Sequence, residues 1–297
     1  MKVIISRKGF DSTYGGCASP IFLDGSMLSL PIPTSRSNVQ YQQLTARSRN
    51  IGQVVEELSG GKHTRSSTTH LDPDLDRDVL PRLHGWRPTF GQTGGQLTHL
   101  TNCGVSAGDL FLFFGWFREV STSPNGSLIW TRSAPNRQVI FGWLQVDQEL
   151  HVGANGSAAV KSFPWLRDHP HVSGTWGEKN SIFIAKERLD ISGCPDLGSL
   201  PGGGSFSNFL DSRRLTKAGQ GNRSLWSLPA WFSPQAGEAT LSLHGNPSRW
   251  TPNPDGDDRV LLDSAKIGQE FVLSARNPEL VNEWLRVVFA DIASSRN

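Results

Sequence analysis

Two long apolar runs organise the chain. Residues 108–120 read GDLFLFFGWFREV and residues 137–146 read RQVIFGWLQV. Neither alternates between apolar and polar positions. Strands that are apolar on both faces belong in the middle of a covered sheet. The two runs are expected to pair antiparallel, with residues 121–136 as a loop or a further hairpin. Each carries a Gly-Trp after a Phe, at Phe114-Gly115-Trp116 and Phe141-Gly142-Trp143. A glycine inside a strand marks a bulge or the tight bend of a small barrel. A third strand is expected at 180–189.

Elsewhere the pattern is shorter-ranged. Residues 1–33 read as short strands and turns. Residues 2–5 form one strand, Asp24-Gly25 a hairpin turn, and 27–33 an edge-type extended segment, because its prolines cannot donate to a central ladder. Residues 38–58 look helical in part, with Ile51, Val54, Val55 and Leu58 on one face before Gly60-Gly61. Residues 70–78 read as an acidic loop and 193–207 as a Gly/Pro/Ser loop, while 84–104 are rich in Gly and Thr. Short strands are expected at 241–244 and 269–274. The clearest helix closes the chain. Asn277 caps it, Pro278 and Glu279 suit its first turn, and Leu280, Val281, Trp284, Leu285, Val288, Phe289 and Ile292 form its apolar stripe. The fold class expected is α+β and β-rich: a small barrel-like or strongly bent antiparallel sheet with few helices and a C-terminal amphipathic helix packed on it.

Composition narrows the function classes. At 297 residues the chain suits one large domain or two small ones, with enough length for a core. A net charge of +2 is too weak to argue for nucleic acid by itself, so any anion site must be a local cluster. The three cysteines are far apart and form no CxxC pair, which suggests neither a zinc knuckle nor a disulfide framework. A reducing cytoplasm is the expected compartment. The apolar run at 3–5 is too short for a signal-peptide core, and none approaches the ~20 residues of a membrane helix.

Four stretches could carry chemistry. SRKGFDSTYGG, residues 6–16, follows the first strand. Gly15 and Gly16 could aim backbone N–H groups at an anion, Arg7 and Lys8 would add charge, Ser12 would contact the ligand, and Asp11 could serve as base or metal ligand. The alternative is a polar turn in which Asp11 and Ser12 hydrogen-bond their own backbone. No phosphate-loop or dinucleotide fingerprint is present. In 72–78, Asp72, Asp74, Asp76 and Asp78 alternate. A calcium loop is rejected, since Arg77 stands where glycine is required and Leu83 where glutamate is required. A magnesium site on Asp72 and Asp74 competes with a solvated acidic loop. His169-Pro170-His171 could bind a metal with His151, although an exposed turn is the plainer reading. Finally, DSRRLTKAGQGNR places Arg213, Arg214, Lys217 and Arg223 just before Trp226 and Trp231, which suits phosphate contact plus base stacking and equally a basic surface loop beside a Trp-rich core.

The segments MKVIISRKGFDS, HLDPD, GDLFLFFGWFR, VIFGWLQV, HPHV and GQEFV together resemble the nucleotide-modification-associated domain 3 family over nearly the whole chain. The resemblance implies one such domain over 1–297, working on modified bases or nucleotides in a phage or bacterial DNA-modification system. Residues 84–190 are also similar to the small β-barrel of PUA, ASCH and EVE domains, which hold RNA or a flipped base. Such a barrel would use aromatic walls, here Trp116, Trp143 or Trp176.

Three functions follow from these readings. One is a nucleotide or DNA-modifying enzyme, with Asp11 as base or metal ligand assisted by Asp72 and Asp74. The second is a non-catalytic reader of modified DNA, and the third a structural partner of a modification complex. The expected partners are a nucleotide or DNA, and other DNA-modification proteins. No membrane is expected. The cofactor is open, magnesium being the one named.

Overall fold

The computed structural model describes residues 1–254, 256, 258–265 and 268–294. Its centre is a ten-stranded mixed sheet. The main path runs Ala239–Leu241, Glu270–Ala275, Val3–Arg7, Leu110–Thr122, Arg137–His151, Asn180–Ala185, Thr89–Thr93. The two apolar runs lie side by side at its middle and pair antiparallel, as their patterning predicts. Their register shifts between Phe113 and Phe114, leaving Phe141 as the extra residue of a bulge. Both strand glycines have a steric reason. A Cβ on Gly115 would come within 2.7 Å of the Lys8 carbonyl oxygen, and one on Gly142 within 2.5 Å of Leu75.

The sheet does not close on itself, and no closed barrel occurs among the described residues. The barrel-like, all-antiparallel alternative is corrected by the first strand. Val3–Arg7 runs parallel to Leu110–Thr122 and antiparallel to Glu270–Ala275, which puts the N-terminus in the interior of the sheet. Ser19–Ile21 then rejoins the same edge of Leu110–Thr122, also parallel. Residues 8–18 are therefore an excursion from an otherwise continuous edge.

The C-terminal helix spans Pro278–Ser294, and Asn277 Oδ1 accepts the Glu279 N–H at 3.0 Å. Its stripe docks as expected, with Val281, Leu285, Val288 and Phe289 buried and the Phe289 ring set between Trp143 and Phe206. In the 38–58 region only Ile51–Leu58 is α-helical. It is capped by Asn50 and buries the face expected of it. Residues 121–136 contain the expected hairpin strand, Leu128–Trp130. Residues 27–33 make only isolated bridges rather than a strand. The strand expected at 241–244 ends earlier, as Ala239–Leu241, because Leu243 takes a left-handed φ of 65°. The Gly/Thr-rich stretch holds the strand Thr89–Thr93 and the helix Gly94–Asn102, which the pattern did not reveal. A small second sheet joins Leu225–Pro229, Arg259–Asp263 and Trp250–Pro252. No described helix is long and apolar enough to cross a membrane.

His244 is fully buried between the two sheets. Its Nε2 accepts the Ala265 N–H at 2.9 Å, so its Nδ1 carries the proton and donates to the Ser242 carbonyl at 3.0 Å. Burial above all, with the nearby Arg249 and Arg7, pushes its pKa down to about 4 against the hydrogen bond to the Ser242 carbonyl and the weaker pull of Asp263. The folded-state value lies below the unfolded one of ~6.5, so this stabilisation is fully present above that pH and is lost as pH falls toward 4. Urea unfolding of wild type and His244→Gln should show a stability gap that narrows across this window, by at most about 1.4 kcal/mol per pH unit. A gap independent of pH would contradict the assignment.

Candidate functional site

Four chain segments meet in one cleft of about 560 Å³. The first is the excursion after Val3–Arg7. Lys8 still donates its N–H to the Phe114 carbonyl at 2.8 Å, and the chain then turns away. Phe10 anchors the turn in a secondary hydrophobic cluster. Asp11 closes it, one carboxylate oxygen accepting the N–H groups of Thr13 and Tyr14 at 2.7 and 2.6 Å. Arg7, Lys8, Gly9, Asp11 and Tyr14 all line the cleft.

The second segment is 70–74, held along the sheet margin by paired backbone hydrogen bonds between Asp74 and Thr89 at 2.9 Å. The pairing leaves Asp72 opposite Gly91, whose N–H donates to Asp72 Oδ1 at 2.8 Å. The third is the turn Pro170–Ser173, with His169 capping its start. The His171 ring lies over Gly91, where an added Cβ would come within 2.3 Å of it. The fourth is Trp176, stacked on His171 at 4.4 Å and 4°, with its indole N–H donating to the Pro170 carbonyl.

Asp72 is the electrostatic centre. His70 Nε2 and His171 Nε2 stand 3.5 and 3.6 Å from its Oδ2, and His169 Nε2 stands 3.6 Å from its Oδ1. Burial opposes ionisation of Asp72. The hydrogen bond from His70 and the surrounding imidazoles outweigh that and hold its carboxyl at about 2. Burial pushes His169 down to about 3 and His171 to about 4, against the attraction of Asp72. The neutral-pH arrangement sets the carboxylate beside the neutral imidazoles of His169 and His171. His70, Asp72 and His171 offer three donor atoms within 4.8 Å of one another and could hold a metal ion. Beside them, Lys8 Nζ pairs with the buried Glu270 at 2.8 Å, and Gln92 donates to the same oxygen at 2.6 Å. Arg36 stands at the rim, 4.9 Å from the Trp176 ring centre.

The residues singled out in the sequence fall in several places. Arg7, Lys8, Asp11, Asp72 and Trp176 meet in the cleft. Gly15 and Gly16 serve the turn: a Cβ on Gly15 would strike the Phe10 ring, and the Gly16 N–H donates to the Asp11 carbonyl. Ser12 is exposed and accepts from Arg223 at 3.1 Å. The four alternating aspartates do not form one solvated face, because Asp72 and Asp74 are both buried. Asp74 turns from the cleft into a two-pronged pair with Arg82 at 2.5 and 2.8 Å, and burial pushes its carboxyl up to about 6. The exposed HPH turn is corrected too. His169 and His171 are buried, and their partners are His70 and Asp72 rather than the exposed His151.

Trp143 is a core residue, its indole N–H donating to the Pro201 carbonyl and its ring packed on Phe206 and Phe289. Trp116 lies under the Arg223 guanidinium at 3.9 Å. The basic stretch presents no single face. Arg213 is fully buried and paired with Asp291, Arg214 pairs with Asp211, and Lys217 reaches Asn253. The sequence reading passed over His70, Gly91, Gln92 and Arg36. The available signal was HLD at 70–72 and HPH at 169–171, each placing two donor groups at i and i+2.

A family model described as nucleotide modification associated domain 3 matches residues 2–274, and the chain belongs to that family. No curated protein and no solved structure matches it.

The burial of Arg213 makes it a structural residue. Arg213→Ala should cost about 3 kcal/mol in urea unfolding, the scale of removing one partner of a buried pair. A phosphate-contacting arginine would leave stability unchanged.

Proposed function

We propose that this member of the nucleotide modification associated domain 3 family is an enzyme acting on a nucleotide, free or within DNA, at the Asp72 cluster. The observation that carries the reading is a carboxylate buried among three imidazoles at the floor of a ligand-sized cleft with a cationic rim. Carrying such a charge out of water costs several kcal/mol, and chains concentrate such perturbed groups at functional sites. The cleft volume lies within the range of about 300–1,000 Å³ typical of small-ligand sites.

In this reading Arg36 and Arg7 face the phosphate, Trp176 forms a wall for the base, and Thr34 stands at its edge. Lys8 stands between Glu270 and the cleft. Asp72 is the catalytic carboxylate. Asp11, with one oxygen committed to its own turn, shapes the rim and keeps the second for the ligand. Work in the cytoplasm of a phage or bacterial DNA-modification system, beside other modification proteins, belongs to the same reading.

A non-catalytic reader is the second reading. The Arg223–Trp116 pair favours it, since it lies next to Ser12 of the same turn and would suit a strand of DNA passing the cleft mouth. It requires salt-sensitive DNA binding, lost in Arg223→Ala, with no product.

Calorimetric titration with nucleoside monophosphates and short plain or modified DNA, with product analysis by mass spectrometry, separates the two. Trp176→Ala should weaken binding by about 1–3 kcal/mol, the worth of one base–aromatic stack. Asp72→Asn should lose turnover. Unchanged binding in both Trp176→Ala and Arg36→Ala, or full turnover in Asp72→Asn, would sink the enzyme reading.

A further inference from the structure

The hydrogen bonds behind His171 decide which way its lone pair points. Asn180 Nδ2 donates to two carbonyls, Gly153 at 3.0 Å and His171 at 2.8 Å. Its Oδ1 is thereby identified as an acceptor, and it lies 2.6 Å from His171 Nδ1. His171 must carry its proton on Nδ1. Its Nε2 is then a bare lone pair, directed at Asp72 Oδ2 from 3.6 Å. Two acceptors face each other in a buried place, which a cation between them would resolve.

The other oxygen of Asp72 is already used. Oδ1 takes the Gly91 N–H at 2.8 Å and faces His169 Nε2. His169 Nδ1 accepts the His171 N–H at 3.2 Å, so the neutral His169 ring keeps its proton on Nε2, toward Oδ1. His169 is thus a positioning residue. Oδ2 is left to His171 and to His70, whose Nε2 approaches at 3.5 Å.

We propose that His70 Nε2, Asp72 Oδ2 and His171 Nε2 hold a divalent transition-metal ion whose open coordination positions face the cleft. Ligand bonds of about 2.0–2.2 Å in tetrahedral array put neighbouring ligand atoms about 3.4 Å apart. The two edges at Asp72 Oδ2 measure 3.5 and 3.6 Å. Two imidazoles with one carboxylate suit zinc, iron or manganese, whereas magnesium prefers oxygen ligands. Asp74, the second carboxylate of the magnesium alternative, is held by Arg82 instead. The supporting contacts are those a metal site needs: Asn180 sets the His171 tautomer, Gly91 orients Asp72, and Trp176 stacks on the His171 ring. His70 would bind through a deprotonated Nε2, so uptake of the ion releases any proton held there. The inference deepens the reading of the cleft as a nucleotide site, since a ligand oxygen or water would complete the coordination.

The test uses the untagged full chain without nucleotide. Metal content is measured after purification, then the chelator-stripped protein is titrated with Zn²⁺ and with Co²⁺, whose visible spectrum reports geometry. The expected result is one ion per chain with a low-symmetry Co²⁺ spectrum. Affinity should fall at least 100-fold in His70→Gln and in His171→Gln, and about 10–100-fold in Asn180→Ala, while His169→Gln keeps the stoichiometry. His70 is only partly buried, so its variant should fold even where the others do not. No binding by the wild type, or binding unchanged in both His70→Gln and His171→Gln, overturns the site. Nucleotide titrations in chelator are read separately. Metal binding without any nucleotide binding upholds the metal site and removes the enzyme reading. Nucleotide binding by a wild type that takes up neither Zn²⁺ nor Co²⁺ does the reverse.

Discussion

Water releases an ionised carboxylate into a protein interior only when other groups replace its hydration, and Asp72 is the place where this chain meets that cost. Its side chain is almost wholly shielded, yet it is held ionised. One backbone N–H and three imidazoles surround it, supplied by the strand Thr89–Thr93, by the 70–74 segment itself and by the turn at 169–171. Gly91 acts twice, lending its N–H to Asp72 and, by lacking a Cβ, leaving room for the His171 ring. Asn180 then orients that ring through bonds that admit one tautomer. Removing one of these groups leaves a buried polar atom short of a partner, which couples the members of the cluster.

The sheet supplies the positions. Its two central strands are buried on both faces over most of their length, and the irregular segments lie at the margin around them. Asn180–Ala185 pairs with Thr89–Thr93, which carries Gly91 and pairs at its start with the 70–74 segment. Those neighbours bring Asp72 against residues almost a hundred positions away. On the other side, Val3–Arg7 reaches the same cleft because it lies inside the sheet rather than at its edge. The excursion of residues 8–18 then swings Lys8 and Asp11 to the mouth, with Gly115 giving the Lys8 carbonyl its clearance.

Local patterning made part of this legible. Strands apolar on both faces identified the centre of the sheet, and a cap plus a stripe identified the final helix. The first turn stood out because charge and paired glycines follow a buried strand at once. The imidazole cluster was not legible, because HLD and HPH are each ambiguous alone and only strand pairing joins them. A barrel seemed natural from short strands with internal glycines. The parallel placement of the first strand, which no local window encodes, opens it into a sheet. The basic stretch at 213–223 looked like a phosphate face, but the fate of Arg213 is set by Asp291 on a helix nearly eighty residues later. Charge in sequence gives the sign of a surface only where the side chains remain on it.

The most direct test of the account is a crystal structure grown with Zn²⁺ and a deoxynucleoside monophosphate, with anomalous data at the zinc edge. The account predicts an anomalous peak about 2.0–2.2 Å from Asp72 Oδ2 and from the Nε2 atoms of His70 and His171, with the nucleotide in the same cleft beside Trp176. Nucleotide ordered instead on the Arg223–Trp116 face, with no peak beside Asp72, would contradict it.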